Sequence, residues 1–194
     1  MGTFLRDAVA NGRWEFIKTD NNATGLYPVI RALGNNITGI EIGLREGVST
    51  LAFLESCPNL STLIGIDPFV PYYDMGYNWS IEEQNEFHDT LLDNMSFRGC
   101  SDRFKLIRKT SLDAAADIAD NSIDFIYVDG EHTDEMLTNE LNAYWPKLKS
   151  SGVMSGHDYG IISGALHRWY NNHISEVRGN ITQLMHQSWY FGKI

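Results

Sequence analysis

The stretch EIGLREGVST, residues 41–50, decides how this chain folds. A short apolar run, 37–42, leads into it, and residues with helical spacing follow it. That context reads as a strand, a glycine-rich turn and a helix. Gly43 and Gly47 let the backbone bend sharply and approach a ligand closely, where a Cβ would obstruct. The helix that follows presents unpaired N–H groups toward whatever sits in the turn. A second acidic residue, Asp67, closes the next apolar run, 62–66. Two acidic strand ends flanking a glycine turn suit a nucleoside, whose ribose hydroxyls need acceptors.

Working outward, 194 residues give one substantial core and leave too little chain for two ordinary domains. The apolar fraction of 43% with 21% charged residues is that of a globular protein. A net charge of −10 argues against tight nucleic-acid binding, which needs clustered Lys and Arg on phosphates. It argues equally against an anionic membrane surface as partner. Cys57 and Cys100 form no disulfide framework and have no metal-ligand spacing, so they are expected as reduced thiols. No signal peptide is read at the N-terminus and no run of apolar residues is long enough to span a bilayer. The expectation is a cytoplasmic protein acting on a small molecule, with a homo-oligomer compatible with the sequence.

Beyond the turn the pattern alternates. Strand-like runs fall at 37–42, 62–67, 104–109, 123–129 and 152–158, with helix-like segments at 48–57, 81–97, 111–119 and 133–149. Such alternation predicts βαβ units and a mostly parallel sheet with helices on both faces. Ligands in these sheets bind beyond the carboxyl ends of the strands. Residues 1–34 read as a helical extension broken near 19–24, and 71–100 as an inserted loop and helix on the acceptor side of a single domain, 1–194. Ser80 and Glu83 form a capping box before 81–97. Ser111 could cap the next helix, and Pro146 should kink or shorten the one at 133–149. The last stretch, 181–194, reads as two antiparallel strands at the sheet edge. The aromatic segment PYYDMGYNWS, 71–80, reads as a loop near the ligand-binding end.

The turn has the pattern E-x-G-x-x-x-G. It is neither the G-x-G-x-x-G of dinucleotide sites nor the phosphate loop ending in Gly-Lys-Ser/Thr. With IGIDPF at 64–69, RKTS at 108–111, IDFIYVDGEH at 123–132 and GVMSGHDY at 152–159, the sequence resembles the class I S-adenosylmethionine-dependent methyltransferases. More narrowly it is similar to their family-24 branch, which includes macrolide sugar O-methyltransferases and cephalosporin hydroxylase-like proteins. The resemblance covers roughly residues 37–160. It implies a Rossmann-like, mostly parallel seven-stranded sheet with an antiparallel edge pair. It also implies S-adenosyl-L-methionine held at Glu41, Gly43, Gly47 and Ser49, its ribose on Asp67, and its adenine near Phe69 and Ser111. For Asp67 the alternative is a turn-capping carboxylate; for Phe69 and Ser111 it is packing and capping.

The remaining motifs carry the chemistry. Asp129 ends one strand, with His132 three residues on, and His157 and Asp158 end another. Neighbouring parallel strands lie about 4.8 Å apart, so these side chains can converge. Asp129, His157 and Asp158 are competent ligands for Mg²⁺, Mn²⁺ or Zn²⁺. The relatives in the resemblance carry an acidic residue where His157 stands, and imidazole suits the transition metals better than magnesium. The alternative is that these polar strand ends pair with loop backbone. His132, with Asp129, is the candidate for catalysis. An imidazole with a pKa near 6.5 can take the proton of an attacking hydroxyl, against the alternative of a helix N-cap. His88, His167, His173 and His186 read as surface or packing residues. Aromatics at Tyr72, Tyr73, Tyr77, Trp79, Tyr159, Trp169 and Tyr170 could shape an acceptor pocket, although Trp169 and Tyr170 have the spacing of core residues. The expected reaction is O-methylation of a small hydroxylated acceptor such as a sugar. The competing readings are a nicotinamide-dependent oxidoreductase and a non-catalytic nucleoside-binding domain.

Overall fold

Strand β1 (Ile37–Ile42) lies in the middle of the sheet, where alternation of its side chains divides the core in two. Ile40 and Ile42 pack on one face, with Ile126, Tyr144, Trp169 and Phe191. Gly39 and Glu41 face the other, where Phe53, Phe125 and Tyr127 meet edge-to-face. A Cβ at Gly39 would press on Leu60, Leu63 and Phe125, so glycine is what lets the rings close over the strand. The same period of two puts Phe125 and Tyr127 of β6 (Ile123–Val128) on this face and Ile126 and Val128 on the opposite one.

The computed structural model describes residues 4–74 and 76–194, the side chains of Phe4, Asp74 and Tyr77 lying outside what is described. Helices α1 (Phe4–Ala10), α2 (Arg13–Thr19) and α3 (Tyr27–Arg31) precede β1. After it come α4 (Val48–Ser56), β2 (Leu60–Ile66), β3 (Tyr72–Asp74), β4 (Tyr77–Trp79), α5 (Ile81–Phe97), β5 (Phe104–Ile107) and α6 (Ser111–Ala115). Then follow β6, α7 (Asp134–Tyr144), β7 (Leu148–Gly156), α8 (Tyr159–Asn172), β8 (Val177–Gln183) and β9 (Trp189–Lys193). The main sheet has the order β5-β2-β1-β6-β7-β9-β8. Strands β5 to β7 pair in parallel, while β9 runs antiparallel to both β7 and β8. This is the Rossmann-like, seven-stranded arrangement expected from the sequence. The chain turns outward from β1 to β2 and later returns to β6 on β1's other side. The carboxyl ends of β1 and β6 therefore flank the switch point where such sheets bind ligands. Among the described residues no helix is long and apolar enough to cross a membrane.

Several local expectations are corrected. Residues 71–80 are a small antiparallel hairpin, not a loop, with Tyr72 stacked on Trp79 across the strands. A cross-strand aromatic pair stabilises a hairpin too short to show periodicity. Helix α7 stops at Tyr144, and a 3₁₀ turn spans Trp145–Lys147 around Pro146, so β7 starts four residues before the expected 152. Thr110, not Ser111, caps α6: its Oγ1 accepts the Asp113 N–H at 3.2 Å. The C-terminal pair begins at Val177, and β9 is interior with β8 outermost. The capping box is present, with Ser80 Oγ accepting from Glu83 N and Glu83 accepting from Ser80 N. Ser80→Ala should therefore lower stability by about 1 kcal/mol. Urea denaturation checks this, and an unchanged midpoint would show that α5 is held by packing alone.

Candidate active site

The glycine turn is closed on three sides by backbone. Gly43 N donates to the Ile66 carbonyl at 3.0 Å, and Asp129 N donates to the Ile42 carbonyl at 2.9 Å. These bonds stitch the ends of β1, β2 and β6 together. Gly43 has φ +83°, and a Cβ there would lie 2.1 Å from the Asp129 carbonyl oxygen. Gly47, at φ +79°, caps α4. Glu41 is fully buried beneath the turn, between Gly65 and Tyr127 on the flanking strands. Its Oε1 accepts the Ser49 hydroxyl at 2.5 Å, while Oε2 has no hydrogen-bond partner. Burial pushes its pKa up to about 8, against the opposing hydrogen bond from Ser49.

Asp67 follows β2, and each of its oxygens takes a backbone donor. Oδ2 accepts from Leu44 N at 2.9 Å and Oδ1 from Phe69 N at 2.8 Å. The carboxylate thus holds the glycine turn and its own turn in register, and every oxygen keeps a further lone pair. Phe69 is not an open platform: its ring is fully buried, edge-on to His88 and beneath the Arg108 guanidinium. That corrects the placement of Phe69 along an adenine. Ser111 lies at the start of α6, its carbonyl accepting the Tyr144 hydroxyl at 2.6 Å.

Four chemical side chains converge beyond β6 and β7, as their strand ends predict, but with different partners. His132 Nε2 lies 2.6 Å from Asp158 Oδ2. His157 Nδ1 lies 2.9 Å from the same oxygen and 3.5 Å from Asp129 Oδ1. On its far side, His157 Nε2 donates to the His186 carbonyl at 2.5 Å. Burial opposes the charged form of His157, but the Asp158 hydrogen bond and both carboxylates outweigh it and raise its pKa. Burial likewise opposes the Asp158 carboxylate, and its bonds to His132 and His157 overcome this, holding it well below the usual range. Asp129 is pushed up to about 6, chiefly by burial, with His157 opposing and Asp158 adding. Tyr127 donates its hydroxyl to Asp129 Oδ2 at 3.3 Å.

Among the described residues, the group able to offer ligand atoms to one metal ion is Asp129, His132 and Asp158, with those atoms within 4.8 Å of one another. His132 thus stands where the sequence placed His157. His157 faces both carboxylates but is anchored to the His186 backbone. His132 does not cap α7 either, since Thr133 Oγ1 accepts the Met136 N–H.

Three contributions were not read from the sequence. His186 enters through its carbonyl. Its ring pairs with Asp20 at 2.9 Å, and the Ser188 hydroxyl donates to the Asn22 carbonyl, so the N-terminal segment pins this turn. His186 and Gln187 have left-handed backbone (φ 55° and 63°), as does Asp158 (φ 55°). Such conformations persist where surrounding contacts over-determine them. Gln187 Oε1 accepts Gly160 N at the start of α8, and Trp189 Nε1 donates to the His157 carbonyl at 2.8 Å. Glu140 is the third: only 2% exposed, with Oε2 unpartnered and burial pushing its pKa up to about 7. A signal for it existed, because Leu137, Glu140, Leu141 and Tyr144 share one helical stripe.

The aromatic candidates divide. Trp169 and Tyr170 are core residues. Tyr159 bonds His167 at 2.8 Å, Tyr73 is exposed, and Tyr72 and Trp79 stack in the hairpin. Glu41 and Glu140 bear on stability. Each has a folded-state pKa above its ordinary value, so each contributes stability that is full near pH 4.5 and falls as pH rises toward 8 and 7 respectively. Unfolding by urea at pH 5 and pH 8 should show the protein less stable at pH 8. Glu140→Gln should flatten that slope, and an unchanged slope would place its titration in the ordinary range.

Residues 40–159 match a family whose description is a methyltransferase domain. Over 129 residues the chain is 27% identical to an uncharacterized protein of Acanthamoeba polyphaga mimivirus; the match covers 64% of this chain and about half (52%) of that protein. A methyltransferase from Geobacter sulfurreducens superposes with a TM-score of 0.61 at 18% identity, covering 97% of this chain and 88% of that one. An O-methyltransferase from Streptomyces achromogenes, solved in complex with SAM, gives 0.63 at 11% identity, covering 87% and 77%. At such identities the superpositions show a shared fold.

Proposed function

We propose, from the premise that this chain belongs to the methyltransferase-domain family matched over residues 40–159, that it transfers a methyl group from S-adenosylmethionine to a hydroxyl of a small acceptor, such as a sugar. One observation carries the reading: a glycine turn without phosphate-loop spacing, closed on the Asp129 carbonyl, adjoins a His132–Asp158 pair across neighbouring strand ends. The cofactor would lie over the ends of β1 and β2, its methionine part against Gly43, Gly47 and the Glu41–Ser49 pair. Its ribose hydroxyls would donate to the remaining lone pairs of Asp67, and its adenine would approach Ser111.

When bound, S-adenosylmethionine would supply the methyl group that the acceptor oxygen takes, leaving S-adenosylhomocysteine, and the hydroxyl proton would pass to His132. Asp158 Oδ2, 2.6 Å from Nε2, would orient that ring and favour its charged form as the proton arrives. His157, set between Asp129 and Asp158 and anchored by the His186 carbonyl, would offset the repulsion between the two carboxylates when protonated. Holding acceptor and cofactor in line supplies much of the remaining rate.

Asp129, His132 and Asp158 also fit a divalent cation, and the imidazole favours Mn²⁺ or Zn²⁺ over Mg²⁺. When bound, such an ion would lower the pKa of a hydroxyl beside it. Mn²⁺ should raise the melting temperature of the protein, and Asp158→Asn should remove that rise. A rise that survives Asp158→Asn would move the ion elsewhere. The cofactor itself is tested by isothermal titration with S-adenosylhomocysteine, expected to bind in the micromolar range. No heat at millimolar ligand, or preferential stabilisation by NAD(H), would overturn the reading.

A further inference from the structure

His157 is gripped from two sides by the turn at 184–188 and the strand that leaves it. Its Nε2 donates to the His186 carbonyl at 2.5 Å, and its own carbonyl accepts Trp189 Nε1 at 2.8 Å. Gln187 Oε1 accepts Gly160 N, two residues beyond Asp158. The turn therefore decides where the His157 ring lies between Asp129 and Asp158. Its backbone does not favour that shape unaided. His186 and Gln187 are consecutive non-glycine residues in the left-handed region, at φ 55° and 63°. Such backbone is costly and persists only where the contacts around it over-determine it.

Those contacts come from the N-terminal segment, residues 20–25. Asp20 Oδ1 lies 2.9 Å from His186 Nε2. The Ser188 hydroxyl, fully buried, donates to the Asn22 carbonyl across 166 positions of sequence. Gly25 comes so close that a Cβ there would stand 3.0 Å from Leu184 Cβ. The two ends of the turn are closed by Leu184 N donating to the Ser188 carbonyl at 2.7 Å. Ser188 also neighbours the Tyr127 hydroxyl, which donates to Asp129 Oδ2. As a half-exposed pair, Asp20 and His186 contribute little to global stability. Their position gives the pair a different use, since the ring Asp20 holds belongs to the residue whose carbonyl holds His157.

We infer that Asp20 is a positioning residue for the cluster at Asp129, His132 and Asp158: by holding the His186 ring it keeps the His186 carbonyl against His157 Nε2, and so keeps His157 between the two carboxylates. The part this plays in methyl transfer rests on the methyltransferase reading; the bracing itself does not. Protein labelled with ¹⁵N in its histidines gives the readout, because an imidazole N–H held 2.5 Å from a carbonyl oxygen exchanges slowly and resonates far downfield. His157→Ala assigns the signal. Asp20→Ala should shift or abolish it, although the contact it removes is to His186. Asp20→Asn, whose amide oxygen can accept the same N–H, should restore it. Gly25→Ala, which presses on Leu184 with Asp20 intact, should shift it by an independent route. Arg6→Ala, which breaks a comparably exposed pair with Asp93, should leave it in place. S-adenosylhomocysteine affinity should stay within about twofold in these four variants, none of which lies in the glycine turn. A His157 signal unmoved by Asp20→Ala, or moved as much by Arg6→Ala, overturns the inference. A signal that responds as expected in a protein that binds no S-adenosylhomocysteine would sink the methyltransferase reading and leave the bracing standing.

Discussion

Gly43→Ala is expected to lose S-adenosylhomocysteine binding by at least about a hundredfold and to cost about 2 kcal/mol or more of stability. The added Cβ would meet the Asp129 carbonyl oxygen at 2.1 Å, its carbon at 2.7 Å and Gly130 Cα at 2.9 Å. All three are backbone atoms and cannot swing aside. The strand ends that would have to part are those tied by Gly43 N to Ile66 and Asp129 N to Ile42. Two glycines separate the causes. Gly12, at φ +76° with nothing within 4 Å of a Cβ, should show the backbone cost alone, about 1 kcal/mol. Gly47→Ala, whose Cβ would meet the Leu91 Cδ1 at 2.2 Å, should be intermediate, because a leucine end can rotate. Titration calorimetry and urea unfolding on the three variants give the comparison. A Gly43→Ala protein that binds like the parent would show that the cofactor does not use this turn.

His132→Ala should reduce kcat by about 10² to 10⁴-fold while leaving S-adenosylhomocysteine affinity within about twofold. The ring stands beyond the end of β6, outside the glycine turn, and its contact with Asp158 is 2.6 Å. Asp158→Asn should lower kcat less, since the ring survives but its charged form is no longer favoured. His157→Ala should act through position. It removes the link from Asp158 and Asp129 to the His186 carbonyl, so kcat should fall together with the stability of the turn at 185–187. Rates with an acceptor that supports turnover, beside cofactor titrations, distinguish the three. Full turnover by His132→Ala would remove it as the base.

Much of the frame was legible because its signals are local. Alternating apolar runs placed the central strands, and α5 lies where the capping box and its spacing put it, at Ile81–Phe97. The misses share a cause. The hairpin at 72–79 is three residues per strand, too short for a period to register. The early start of β7 follows from Pro146 ending α7 in a 3₁₀ turn, where sequence spacing still read helix. Of the candidate site, the convergence of Asp129, His132, His157 and Asp158 could be foreseen from strand ends alone. Their pairing could not. Whether His132 or His157 joins the two carboxylates depends on which way each ring turns. His157 is turned by the carbonyl of His186, in a segment the sequence read as surface or packing.

By itself, then, the sequence determined the order of the elements, the glycine turn at 41–50 and the residues delivered to the carboxyl ends of β1, β6 and β7. Side-chain periodicity and turn chemistry act between near neighbours and are readable without the fold. Only the tertiary structure decided what those residues do to one another. It buried Glu41 between Gly65 and Tyr127, hid Phe69, and set Glu140 beneath the site. It also braced His157 with a turn held by Asp20 and Asn22, the latter 166 residues from its partner Ser188. Hydrogen-bond partners and burial are properties of groups brought together by folding, and no local pattern encodes them.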